Sequence, residues 1–144
     1  MSSASPSTPT ERVAFGRLLW VGPLAVIASV AANALVRTIA QAVFDVPPEF
    51  RPFAAGQFIV LTVAGTVGAT IVFAVVGWLA KRPIRAFTWI AAVALILSWL
   101  PDVGLLAAKR FPGVTVQSVG ALMFMHVVTA AISVGLLTRL GRKS

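Results

Sequence analysis

The sequence has no cysteine and no tyrosine, and only four of its 144 residues are acidic. Without cysteine there are no disulfides, thiolate metal sites, iron–sulfur clusters or thiol redox chemistry. With so few carboxylates, paired acid–base catalysis has little to work with, and no serine sits in a nucleophile elbow. A phosphate-cradling glycine loop is also missing. The single histidine, with few carboxylates around it, cannot fill a zinc shell, so no metal and no cofactor is expected. These gaps argue against an enzyme.

What is present is apolar. Hydrophobic residues form 58% of the chain and charged residues 11%, against roughly 25% charged in soluble domains. A chain this short buries only about two-thirds of its surface on folding, so a soluble fold would leave much of this apolar area in water. Lipid is the fitting solvent, and the bilayer the first partner. The net charge of +8 would suggest nucleic acid in a soluble protein. Here the basic residues gather at the ends of apolar runs, where anionic headgroups and orientation explain them, so no nucleic-acid partner is expected.

Four windows are long enough to cross a bilayer, which takes about 20 mostly apolar residues. They are residues 18–44, 56–80, 86–107 and 116–140. Lipid offers the backbone no partners, so each must be a helix. The connections are short: a proline-rich stretch from Asp45 to Pro52, the tight Lys81-Arg82-Pro83-Ile84-Arg85, and a third around Lys109 to Gly113. Short connections make successive helices antiparallel neighbours. The expectation is an all-α, integral-membrane, up-down-up-down four-helix bundle spanning 17–140, flanked by a disordered tail over 1–16 and a basic tail over 141–144. A signal peptide cleaved near Ala32-Asn33-Ala34 is the alternative for the first run, but that run continues to Phe44 and reads better as a retained span.

Arg12, Arg17, Lys81, Arg82, Arg85, Arg139, Arg142 and Lys143 fall on one side of this topology. Arg37, Arg51, Lys109 and Arg110 fall on the other, with Asp45, Glu49 and Asp102. The bias predicts cytoplasmic termini in a bacterial inner membrane. Trp20, Trp78 and Trp89 fall at the basic ends of their helices and Phe44, Phe50, Phe53 and Phe111 at the opposite ends, as in aromatic belts.

Polar residues within spans are costly and turn toward the protein interior or water. Asn33, Arg37 and Gln41 form one stripe of the first helix. By helical rise Arg37 lies about 28 Å and Asp102 about 24 Å along their helices from the same side. An Arg37–Asp102 pair, with Asn33 beside it, is therefore expected; in the alternative, Arg37 snorkels to headgroups and Asp102 caps a broken helix. Pro101 should kink or break the third helix, leaving carbonyls near Leu97 and Ser98 to line a shallow pocket. His126, about 15 Å into the fourth helix, reads as a neutral side chain bonded across the bundle to Asn33 or Ser98, or alternatively as a proton relay, haem ligand or donor to a quinone or lipid. The candidate cluster is Asn33, Arg37, Ser98, Asp102 and His126. Thr62, Thr66 and Thr70 repeat along the second helix. Small residues (Ala64, Gly65, Gly68 and Ala69 there, Ala131 and Gly135 on the fourth) predict close packing within the bundle or a homo-oligomer seam.

The turn Lys81-Arg82-Pro83-Ile84-Arg85-Ala86-Phe87, the run Leu97-Ser98-Trp99-Leu100-Pro101-Asp102 and the stretch from Met123 to Ala130 resemble a bacterial family of small four-span membrane proteins of unknown function. The resemblance covers about residues 18–140. It implies a four-helix membrane fold, supplies no activity, and suggests that Asn33, Ser98, Pro101 and His126 share one site. Asp102 departs from the apolar residue that the resemblance implies after the proline. Functional readings are an accessory, scaffold or oligomerising subunit with a membrane-protein partner; a small transporter or channel, which the lack of a mid-membrane glutamate disfavours; or a binder of lipid, quinone or haem in an outward pocket.

Overall fold

The computed structural model describes residues 11–109 and 112–143. Four helices follow one another: α1 (Phe15–Phe44), α2 (Ala55–Leu79), α3 (Pro83–Ala108) and α4 (Val116–Leu140), with a short 3-10 turn at Arg51–Phe53. All four are long and apolar enough to cross a membrane. Arg110, Phe111 and most of the expected N-terminal tail lie outside the described residues.

The boundaries follow local chemistry. Pro83 opens α3 at a position where a missing N–H costs nothing. Thr115 and Ser118 close a reciprocal capping box on α4: Ser118 N donates to Thr115 Oγ1 at 3.1 Å and Thr115 N to Ser118 Oγ at 2.8 Å. α1 ends on Asp45, which takes a left-handed φ of 47°, and Pro47-Pro48 prevents the helix from resuming. Pro101 does not end α3, which runs on to Ala108. α1 likewise carries Pro23 inside it. Bundles in membranes tolerate such prolines because neighbouring groups re-satisfy the freed carbonyls.

Consecutive helices pack side by side, α4 closes the ring against α1, and α2 meets α4 across the middle. The α1–α3 diagonal is therefore held open. Two apolar clusters pin the ends. Near the loops at the far end, Ala40, Val46, Phe50, Phe53, Phe58, Ala121, Leu122 and Met125 pack together, with Phe50 and Phe53 edge to face at 5.3 Å. At the end carrying both termini, Val13, Leu18, Val21, Phe73, Phe87 and Leu137 form the second cluster, with Phe73 and Phe87 edge to face at 4.9 Å.

The residues just before α1 are not a loose tail. Val13 is buried and pairs with Arg142, Ala14 N donates to Gly141 O at 2.8 Å, and Lys143 N donates to Arg12 O at 2.8 Å. Glu11 accepts from Ile84 N at 3.1 Å, which ties this strap to the α2–α3 turn. Val13 lies so close to Gly77 that a Cβ there would stand 2.5 Å from Val13 Cγ2. Both described chain ends and the basic α2–α3 turn thus share one end of the bundle. Trp20, Trp78 and Trp89 stand exposed toward that same end.

Of the small residues expected to pack within the bundle or at a homo-oligomer seam, Ala69 lies against the second apolar cluster, while the glycines meet no neighbour within the chain. Gly65, Gly68 and Gly135 have open space where a side chain would begin, and Ala64 and Ala131 are exposed. Close approach within the bundle occurs instead at Gly22, where a Cβ would meet Thr70 Cγ2 at 3.0 Å, and at Gly77 and Gly141. The reason is positional: the expected glycines face outward or toward the open waist, not a backbone of the same chain.

Candidate functional site

Between the two end clusters the bundle has a waist built from small and polar side chains. There α2, α3 and α4 part around a cavity of about 360 Å³. One face of each helix lines it: Phe58, Leu61, Thr62, Gly65 and Ala69 from α2; Phe87, Ala91, Ala94, Leu95 and Ser98 from α3; Leu122, Met125, His126, Thr129, Ala130 and Ser133 from α4. The steps of three and four are those of a single helical stripe. Asn33 of α1 forms the floor, and Pro52 of the first loop lies at the far end. The mouth is between α2 and α3. Leu61 is 58% exposed and Gly65 and Ala94 are exposed, whereas Asn33, Met125 and Ser133 at the back are buried. A molecule entering there comes from the lipid side.

Asn33 is 2% exposed and is the polar centre of the floor. Its amide nitrogen donates to Thr62 Oγ1 at 3.1 Å and to Thr129 Oγ1 at 2.8 Å, linking three helices. Its Oδ1 is buried without a partner, and so is the hydroxyl oxygen of Ser133. Buried polar atoms are paired in the great majority of native structures; Ser29 Oγ and Asp102 Oδ2, outside the cleft lining, are likewise buried without a partner. From the helix ends nearest the far side, Thr62, Asn33 and Thr129 lie roughly 10–20 Å in by helical rise. That is inside the hydrocarbon layer, beyond the reach of phospholipid headgroups.

His126 sits on the α4 wall. Its Nδ1 is 2.8 Å from Leu122 O. A carbonyl oxygen only accepts, so Nδ1 carries the proton and Nε2 of the neutral ring is left with a free lone pair. Asp102, buried on α3, places Oδ2 3.8 Å from the same Nδ1, too far for a hydrogen bond but close enough to act as a charge partner if the ring takes a second proton. Ser98 Oγ donates to Leu95 O at 2.6 Å.

The structure therefore divides the expected cluster. Asn33, Ser98 and His126 line one cleft, and Asp102 stands behind His126. Arg37 is elsewhere. Its Nε donates to Phe53 O at 2.6 Å and its guanidinium lies 5.7 Å over the Phe58 ring. The expected Arg37–Asp102 pair does not form, because the residues belong to the two helices held apart on the open diagonal. Asp102 caps no broken helix, since α3 continues beyond it. His126 bonds its own helix backbone rather than Asn33 or Ser98. The α2 threonines form no polar path: Thr66 and Thr70 each donate to the carbonyl one turn back, at 2.8 and 2.9 Å. Sequence reasoning missed Thr129 and Ser133 as parts of the site. Their spacing from His126 on α4 was the available signal. Among the described residues no group of His, Cys, Asp or Glu is placed to hold a metal ion.

The chain matches the model of a family of unknown function, DUF6069, over residues 13–143. It belongs to that family. No curated protein and no solved structure matches it. The matched span of this DUF6069 member takes in the strap at Val13, all four helices and the cleft.

Proposed function

We propose that this DUF6069 protein is a non-enzymatic membrane protein that binds one elongated, mostly apolar molecule in the cleft between α2 and α3. The observation that carries this is the waist cavity itself: about 360 Å³, walled by alanine, leucine and methionine, with the unpaired Asn33 Oδ1 at its floor. Ligand sites are concave, chiefly apolar, and contain a few convergent polar groups. Helices in lipid have no hydrophobic drive to close a gap between them, because acyl chains solvate them equally well. A cleft kept open by small side chains is therefore a stable resting state, and an apolar occupant gains the dispersion contacts that the void lacks.

A transporter or channel fits this geometry less well. Arg37 is engaged at the α1–α2 loop, and Thr66 and Thr70 are turned to their own backbone. In this reading the positive-inside bias puts both chain ends, joined through Val13 and Arg142, on the cytoplasmic face of a cell membrane.

The test is native mass spectrometry in mild detergent on the intact chain and on Gly65→Leu. Gly65 lines the cleft and has open space where a side chain would begin, so leucine adds bulk at the cleft wall. The intact protein should carry one retained apolar molecule and Gly65→Leu should lose it. Equal retention by both, or none by the intact protein, overturns the proposal.

A further inference from the structure

We infer that the occupant of this cleft is recognised by a hydroxyl group, donated to His126 Nε2; the inference rests on the binding role proposed above and names the ligand's chemical class. The free polar atoms of the cleft include acceptors that only a donating ligand can pair. His126 Nδ1 is committed to Leu122 O at 2.8 Å, so Nε2 has a lone pair to offer and no partner among the described residues. Asn33 uses its amide nitrogen on Thr62 and Thr129 and keeps Oδ1 unpaired. Ser98 gives its proton to Leu95 O, which leaves lone pairs only. Ser133 keeps an unpaired hydroxyl, and the Thr62 and Thr129 hydroxyls, which accept from Asn33, have no acceptor for their own protons among the described residues.

A carbonyl, ester or ether head has no proton to give and would leave His126 Nε2 unpaired. A hydroxyl reverses this. It donates to Nε2 and keeps its own lone pairs for a second bond. An ammonium would donate too, but a charge at this depth is expensive, and the nearby carboxylate of Asp102 lies on the Nδ1 edge of the ring rather than the free one. The depth of the polar atoms excludes a phospholipid head, so the hydroxyl belongs to a molecule that lies wholly within the hydrocarbon layer, such as an isoprenoid or aryl alcohol.

The test uses the full-length protein in nanodiscs with radiolabelled farnesol, farnesyl methyl ether and farnesylamine. These share a tail and differ in the head. Farnesol should bind about tenfold more tightly than the ether, the range of one net hydrogen bond. His126→Phe should bring farnesol to the affinity of the ether. Equal binding of alcohol and ether, with both lost in Gly65→Leu, would overturn the hydroxyl inference while leaving the cleft as a binding site. Tighter binding of the amine would also overturn it. No displaceable binding of any of the three would remove the inference and the proposed function together.

Discussion

Replacing Asn33 with leucine separates a binding role from a structural one. Asn33 makes two hydrogen bonds, to Thr62 at 3.1 Å and Thr129 at 2.8 Å. Side-chain hydrogen bonds between membrane helices average about 0.6 kcal/mol each, so losing both costs on the order of 1 kcal/mol. Against this, Asn33 Oδ1 is buried with no partner, and removing an unpaired buried polar atom returns about 1–3 kcal/mol. The threonines are not stranded, because each can turn to the carbonyl one turn back, as Thr66 and Thr70 already do. Leucine also has the cleft to expand into. Asn33→Leu should therefore lie within about 1 kcal/mol of the parent protein. The assay is unfolding in mixed micelles titrated with SDS and followed by tryptophan fluorescence, with ligand retention measured on the same sample. Near-unchanged stability with lost retention is the expected pair of results. Destabilisation beyond about 3 kcal/mol, the cost of breaking a buried structural network, would refute the reasoning and make Asn33 a pin between helices.

Phe73→Ala removes a fully buried ring packed edge to face on Phe87 and should cost about 3 kcal/mol, the lower end for such cavities, by the same SDS titration. Gly77→Ala forces a Cβ to within 2.5 Å of Val13 Cγ2; overpacking of this kind costs about 1–3 kcal/mol, and faster trypsin cleavage after Arg12 would report release of the strap. Gly65→Ala meets no atom within 4 Å and gains up to about 1 kcal/mol of helix propensity, so its unfolding midpoint should hold or rise. Because the chain has no cysteine, single-cysteine variants report topology cleanly. Lys81→Cys and Lys143→Cys should label from one side of sealed vesicles and Glu49→Cys from the other.

Much of the fold was legible because lipid imposes a severe rule. Runs of about 20 apolar residues must be helices, and the expected spans meet the observed ones to within about three residues. The proline-rich and basic connections correctly implied antiparallel neighbours. Depth was legible too, since helical rise puts Asn33 and His126 in the waist. What the sequence does not carry is rotation about each helix axis and the choice of diagonal. Arg37 and Asp102 have similar depth, but they stand on the two helices that the ring holds apart, and depth alone cannot reveal this. Arg37 found its partner in a loop carbonyl, Phe53 O, a type of acceptor that every residue offers and no side-chain pattern announces. The glycines show the same limit: spacing puts Gly65 and Gly68 near one another on α2 and does not say which neighbour their face meets. Pro101 carries a related lesson, since its local rule says stop and the surrounding bundle lets α3 run on to Ala108.

The most direct measurement is photolabelling of the full-length protein in membranes with an aliphatic alcohol bearing a diazirine, with adducts mapped by peptide mass spectrometry. Occupancy of the cleft predicts saturable labelling concentrated on Leu61, Ala94, Leu95 and Met125, abolished in Gly65→Leu. Labelling spread without saturation over the outward residues Leu19, Val93 and Ile96, and unchanged by Gly65→Leu, would contradict the account and reduce the cleft to ordinary lipid-facing surface.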